Sequence, residues 1–166
     1  MYTPNQVRET YTRIAQYYDV THASPFLKRH EAHLSLKVKA GDRVLEIACG
    51  TGLNFPHLRQ LIGNSGMLIG LDYTPAMLDI ARRRIAGFGW TNVDVVAGDA
   101  ARLPFPDATL DRVFCSFALS VIPAYEKAIA EVRRVLVPGG RFVALELRPM
   151  KLPSSSSLFG HLMHRL

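Results

Sequence analysis

The chain has 166 residues, 48% of them hydrophobic, and 20 basic against 14 acidic side chains give it a formal charge of +6. That length suits a single α/β unit with a sizeable core, and no apolar run approaches the roughly 20 residues needed to span a membrane. Met1–Ala23 is polar and charged throughout, which argues against a signal peptide, and Cys49 and Cys115 read as reduced interior thiols, so the expectation is a soluble cytoplasmic domain.

The elements follow in chain order. Pro4 to Tyr18 reads as a helix, with Val7, Tyr11, Ile14 and Tyr18 at helical spacing, and Pro25 to Leu36 as a second. Gly41-Asp42 opens the sheet. Val44, Leu45 and Ile47 suit a strand covered on both faces, and the glycine turn that follows leads into a helix from Leu53 to Ile62. Leu68 to Leu71 is a second strand, closed by Asp72. Thr74-Pro75 starts a helix that runs to about Ala86, with threonine as N-cap and proline in the first turn. It carries Arg82-Arg83-Arg84, the densest basic cluster, which reads as a solvated face. Val93 to Val96 is the third strand, closed by Gly98-Asp99-Ala100, and Asp111 to Ser116 the fourth. Ala124 to Leu136 is a helix with Ala128, Ile129, Val132 and Leu136 facing inward. Pro138-Gly139-Gly140 stops it, and Arg141 to Leu147 is the fifth strand.

The chemistry concentrates at the strand ends. Glu46-Ile47-Ala48-Cys49-Gly50-Thr51-Gly52 places an acid and two glycines where a buried strand meets a helix, the position at which open α/β sheets bind ligands. Phe55 stands where a dinucleotide fingerprint needs a third small residue, and the Glu46 carboxylate would repel phosphates. A nicotinamide dehydrogenase therefore ranks last. Asp72 follows Gly52 by 20 residues, the interval at which an acid meets ribose hydroxyls in nucleotide-binding βαβ units. Glu46, Asp72 and Asp99 thus end three consecutive strands, along one edge of a parallel sheet. A single such aspartate is an ordinary cap or turn residue; three in phase with a glycine turn are not.

This combination resembles the S-adenosylmethionine (SAM) site of class I methyltransferases. The branch it is most similar to includes the ubiquinone and menaquinone biosynthesis methyltransferases. Two further segments carry that resemblance, Gly98-Asp99-Ala100-Ala101-Arg102-Leu103-Pro104-Phe105-Pro106-Asp107 and Glu131-Val132-Arg133-Arg134-Val135-Leu136-Val137-Pro138-Gly139-Gly140. It runs from about Val7 to Leu147. It implies a Rossmann-like, mostly parallel sheet with helices on both faces and SAM as cofactor, converted to S-adenosylhomocysteine. It also implies that Glu46 and the backbone of Ala48, Cys49, Gly50, Thr51 and Gly52 line the methionine end. Asp72 would take the ribose, Tyr73 and Met77 would lie near the adenine, Asp99 and Ala100 would hydrogen-bond it, and Ser116 and Phe117 would border the methyl group. Arg13-Ile14-Ala15-Gln16-Tyr17-Tyr18-Asp19 resembles the family's N-terminal signature, in which a tyrosine, here Tyr17 or Tyr18, reaches the cofactor.

The resulting expectation is three segments: 1–40 an N-terminal helical lid, 41–147 the SAM-binding core and 148–166 a linker with a short amphipathic helix. The C-terminus is expected to depart from the family, since residues 148–166 do not easily supply both a helix and the two further strands of a complete class I fold. Instead Pro153-Ser154-Ser155-Ser156-Ser157 reads as a link, and Leu158, Phe159, Leu162, Met163 and Leu166 mark one helix face. That face, or the exposed sheet edge, suits docking, a homodimer or peripheral membrane contact. The implied activity is methyl transfer to a small-molecule or lipid-like acceptor. One alternative is a SAM-binding domain without turnover. The other, a nucleic-acid methyltransferase, is disfavoured because Cys115-Ser116-Phe117-Ala118-Leu119 lacks the Asn/Asp-Pro-Pro-aromatic sequence of base methylation. Tyr18, His22, His30 and Tyr125 are candidate bases, none singled out, and no metal site is expected.

Overall fold

The computed structural model describes residues 3–22, 29–146 and 163–164. Helix α1 (Pro4–Ile14) begins with Thr3 and Gln6 capping each other: the Gln6 N–H donates to Thr3 Oγ1 and the Thr3 N–H to Gln6 Oε1. A 3₁₀ turn, Ala15–Tyr17, separates it from α2 (Tyr18–His22). This break interrupts the single helix predicted to Tyr18. Ile14, one of the four residues at helical spacing, is accordingly 37% exposed, while Ala15 is buried.

The remaining elements alternate. They are α3 (Arg29–Leu36), β1 (Arg43–Ile47), α4 (Phe55–Ile62), β2 (Met67–Asp72), α5 (Pro75–Phe88), β3 (Val93–Ala97), β4 (Leu110–Ser116), α6 (Tyr125–Val135), β5 (Leu136–Leu145) and β6 (Met163–His164). The sheet order is β3-β2-β1-β4-β5-β6, all parallel. The chain winds outward from β1 to one edge, then returns to β4 on the other side of β1. That reversal opens a crevice at the carboxyl ends of β1 and β4.

Side-chain alternation along β1 divides the core. Val44 faces a cluster built with Phe55, Leu58 and Ile62 of α4 and Leu78 and Ala81 of α5. Leu45 and Ile47 face the other layer, with Ala128, Val132 and Val135 of α6. Ile129 and Leu136, predicted to face inward, are only partly buried; Val135 takes the inner position.

Phe55 is fully buried. A Cβ on Gly70 of β2 would stand 2.5 Å from Phe55 Cζ and 2.7 Å from Cys49 Sγ. The small residue that lets helix and strand approach is thus on the strand, with the ring filling the space above it. Thr74 differs from its predicted role as well. It stands at the N-cap without a side-chain cap bond, and its N–H donates to Asp72 Oδ1 at 2.8 Å.

The predicted stop at Pro138-Gly139-Gly140 is not a break. Strand β5 begins at Leu136, pairs with Leu110, and resumes at Arg141 opposite Arg112 across an irregularity, with Gly139 at φ +79°. The predicted link and most of the predicted C-terminal helix lie outside the described residues. Met163–His164, predicted helical, instead pair with Ala144–Leu145 of β5. Backbone groups on the open side of β5 are satisfied this way, so that edge is occupied rather than free at these two positions.

Candidate active site

A partly open cavity lies over the carboxyl ends of the strands. Its polar lining includes Asp72, Asp99, Gly50 and Thr74. Its apolar lining includes Val7, Tyr11, Met77, Phe117, Val121 and Ile122. That mixed lining suits a ligand with both hydroxyl or amino groups and an apolar part.

Most of the predicted residues converge there. Tyr18, Ala48, Gly50, Asp72, Tyr73, Met77, Asp99, Ala100 and Phe117 all line the cavity. Ala48 and Phe117 adopt left-handed backbone conformations, at φ +52° and +56°. Strain of this kind at two adjacent strand ends marks a functional crevice. Gly50, at φ +56°, lies under Tyr18; a Cβ there would stand 3.8 Å from the tyrosine Cε1 and fill the floor. Tyr17, the other candidate, is 63% exposed and is not among the lining residues.

Asp72 is anchored by backbone. Its carboxylate accepts from the N–H groups of Gly50 and Thr74, each at 2.8 Å. Burial pushes this carboxyl up, against the lowering effect of those bonds. Asp99 is exposed on the cavity rim and accepts from the Ala101 N–H at 2.8 Å, so one of its oxygens does serve as a turn cap.

Five predicted residues lie behind the cavity wall. Gly52 and Cys49 are buried, the latter with its thiol pushed far up by burial, and Thr51 is 1% exposed. Glu46 and Ser116 belong to a buried polar cluster with Asn54 and Arg29. The Asn54 amide donates to Glu46 Oε1 at 2.5 Å and to Ser116 Oγ at 2.9 Å. Arg29 donates to Asn54 Oδ1, Ser116 Oγ and the His22 carbonyl, and its guanidinium lies 4.8 Å over the Phe117 ring. Glu46 Oε2 and Arg29 Nε are buried and lack a partner among the described residues. Burial pushes the Glu46 carboxyl up to about 8, although Asn54 and Arg29 both pull it down.

The candidate bases divide. Tyr18 reaches the cavity, but burial raises its hydroxyl to about 12, so it stays protonated and donates. His22 stacks on Tyr18 at 3.9 Å and shares its Nδ1 with Thr21. His30 packs edge-on to His57, and Tyr125 begins α6; neither is among the lining residues. Among the described residues, no group of His, Cys, Asp and Glu could hold a metal ion, and no helix is long and apolar enough to cross a membrane.

Sequence reasoning missed Tyr11, Asn54 and Arg29. Tyr11 had a signal, lying seven residues before Tyr18 on the same helical stripe. Asn54 had a weaker one, as a cap-type residue just after the glycine turn. Arg29 had none, because only the folded chain brings it across to Ser116.

A parallel sheet of this order, with a glycine turn after β1 and acids after β2 and β3, defines the Rossmann-like fold of SAM-dependent methyltransferases. The chain belongs to the ubiE/COQ5 methyltransferase family, which it matches over residues 2–164. It is 33% identical over 159 residues to the demethylmenaquinone methyltransferase of Shouchella clausii, covering 93% of this chain and 68% of that one. Against three such relatives the chain spans 62–68% of their length. Its fold is similar to a SAM-dependent methyltransferase from Aquifex aeolicus, with TM-score 0.64 and 22% identity over 83% of this chain and 69% of the other. The [4+2]-cyclase SpnF matches as well, with TM-score 0.72 and 24% identity over 84% and 59%. Fold alone therefore does not carry the reaction.

Proposed function

We propose that this chain transfers a methyl group from SAM to a small, quinone-like ring compound with an apolar portion. Its family membership and its demethylmenaquinone methyltransferase relatives support the reaction class. The single observation that carries the reading is the mixed lining of one cavity, which Asp72 and Asp99 share with Val7, Tyr11, Phe117, Val121 and Ile122.

The residues present fit the cofactor. Asp72 and Asp99 offer acceptors to hydroxyl and amino groups, and neither suits a phosphate. Gly50 leaves its floor open, and Glu46, behind the cavity wall, keeps a buried oxygen without a partner among the described residues. When bound, SAM supplies a methyl group on positively charged sulfur. The protein's task is then to align acceptor and methyl and to keep water out, a contribution of roughly 7–11 kcal/mol to the barrier. The N-terminal helices act as the lid, with Tyr11 and Tyr18 closing the cavity from above. Tyr18 serves as a hydrogen-bond donor, not a base. A general base is required only where the acceptor must lose a proton.

The test is calorimetric titration with SAM, S-adenosylhomocysteine and NAD, with Asp72→Ala alongside. Micromolar binding of the first two is expected, no binding of NAD, and a loss of about tenfold or more in the variant. A folded protein that binds neither methyl donor nor product overturns the reading. Methylation of hydroxylated ring compounds, with and without an apolar tail, then tests the acceptor; binding without turnover of any of them leaves only a cofactor-binding domain.

A further inference from the structure

Helices α1 and α2 bury no residue fully, and Ala15 between them is the one buried side chain from Thr3 to His22, with Val7, Tyr11 and Tyr18 partly buried. Polar contacts add to their attachment, and Asp19 gathers two of them. The Thr51 hydroxyl, inside the glycine turn, donates to Asp19 Oδ1 at 2.5 Å. Arg84 of α5 pairs with Asp19 Oδ2, and its Nε donates to the Thr51 carbonyl at 3.0 Å. Three elements thus close on one point: α2, the turn after β1, and α5. Arg82 and Arg83 are exposed as the sequence predicts, whereas Arg84 is drawn inward, its side chain 20% exposed.

We propose that Asp19 and Arg84 are positioning residues for the cofactor: their ion pair, shared with Thr51, clasps the N-terminal helices onto the glycine turn and so holds Tyr18 over Gly50. Tyr18 immediately precedes Asp19, so a displacement of the carboxylate moves the ring. Arg84 carries the same restraint to Thr51 from the other side, coupling the turn and the lid through one guanidinium. A charge-assisted, two-point contact of this kind restrains geometry more than a lone surface pair does.

The inference rests on the SAM reading above, and the experiment separates the two. S-adenosylhomocysteine affinity is measured for wild type, Asp19→Asn, Arg84→Gln and the double variant, with circular dichroism confirming the fold of each. Each single variant is expected to weaken binding about fivefold, and the double variant no further than either single one. No loss in the single variants, or losses that multiply in the double variant, overturns the clasp, because two independent structural roles would add. Tryptic cleavage at Arg8 and Arg13, both exposed in α1, reads the same contact without cofactor. Faster cutting in both variants supports the clasp, and unchanged cutting overturns it. A wild type that binds no cofactor sinks the SAM reading, and the positioning role with it, whatever the cutting rates show.

Discussion

At the scale of single residues, three buried titratable groups, Glu46, Asp72 and His33, give the protein its pH dependence. Glu46 has its carboxyl raised by burial from 4.5 to about 8. Between those values the native state keeps a proton that the unfolded chain releases, so stability falls as pH rises through that window. Asp72, also raised by burial, acts in the same direction. His33 acts oppositely. Burial and the neighbouring His57 push it from 6.5 down to about 3, so the unfolded chain binds the extra proton and stability falls as pH drops from 6.5 towards 3. Glu46→Gln is therefore expected to flatten the stability–pH curve from about pH 6.5 to 8 and, between 4.5 and 6.5, where Glu46 opposes His33, to leave the rise with pH set by His33. Urea unfolding across pH checks this; an unchanged slope above pH 6.5 would show that Glu46 is already ionised in the folded protein. The sequence showed Glu46 as an acid on a buried strand. It could not show that Asn54 would leave the helix N-cap role to donate into that carboxylate, since the bond depends on where α4 docks.

Elements are joined here by exchanges of volume that no local pattern reveals. Phe55 at the start of α4 would clash with a strand carrying any side chain at its contact point, and Gly70 is that point. Gly70→Ala is expected to cost about 1–3 kcal/mol by forcing the Phe55 ring and the Cys49 sulfur aside. Denaturant unfolding measures it, and Phe55→Leu in the same background is expected to recover part of the loss. A Gly70→Ala protein as stable as wild type would mean that the helix can shift freely. Strands β1 to β4 fall within a residue or two of their predicted limits, because buried apolar runs ended by Gly or Asp leave few alternatives. The α1–α2 break and the early start of β5 were not legible. A 3₁₀ turn without glycine or proline has no compositional mark, and Pro138-Gly139-Gly140 terminates a helix in sequence while continuing a strand as an irregularity in space.

For the whole molecule, the cavity sits at the point where the sheet reverses direction, walled by the N-terminal helices, the ends of β1 to β4 and the Val121–Ala124 segment. Ligand binding there ties together parts of the chain more than 100 residues apart. S-adenosylhomocysteine at a hundredfold excess over its dissociation constant stabilises the folded state by about 2.7 kcal/mol. For a chain of this size that corresponds to a rise in Tm of roughly 5–10 °C, with none expected from NAD. No shift with S-adenosylhomocysteine in a thermal melt would contradict a cavity formed in the native protein.

What the sequence determined by itself was the parallel α/β core, the glycine turn, the acids Glu46, Asp72 and Asp99 at successive strand ends, and through them the kind of cofactor. Each of these is encoded within a few residues by backbone freedom, apolar period or a short motif. Only the tertiary structure decided that Glu46 and Ser116 lie behind the cavity wall in a network with Asn54 and Arg29. It also decided that Arg84 leaves its basic cluster to grip Asp19, and that Tyr11 joins Tyr18 above the site. These contacts join residues far apart in the chain, so they depend on how helices dock across the sheet, which no local stretch of sequence specifies.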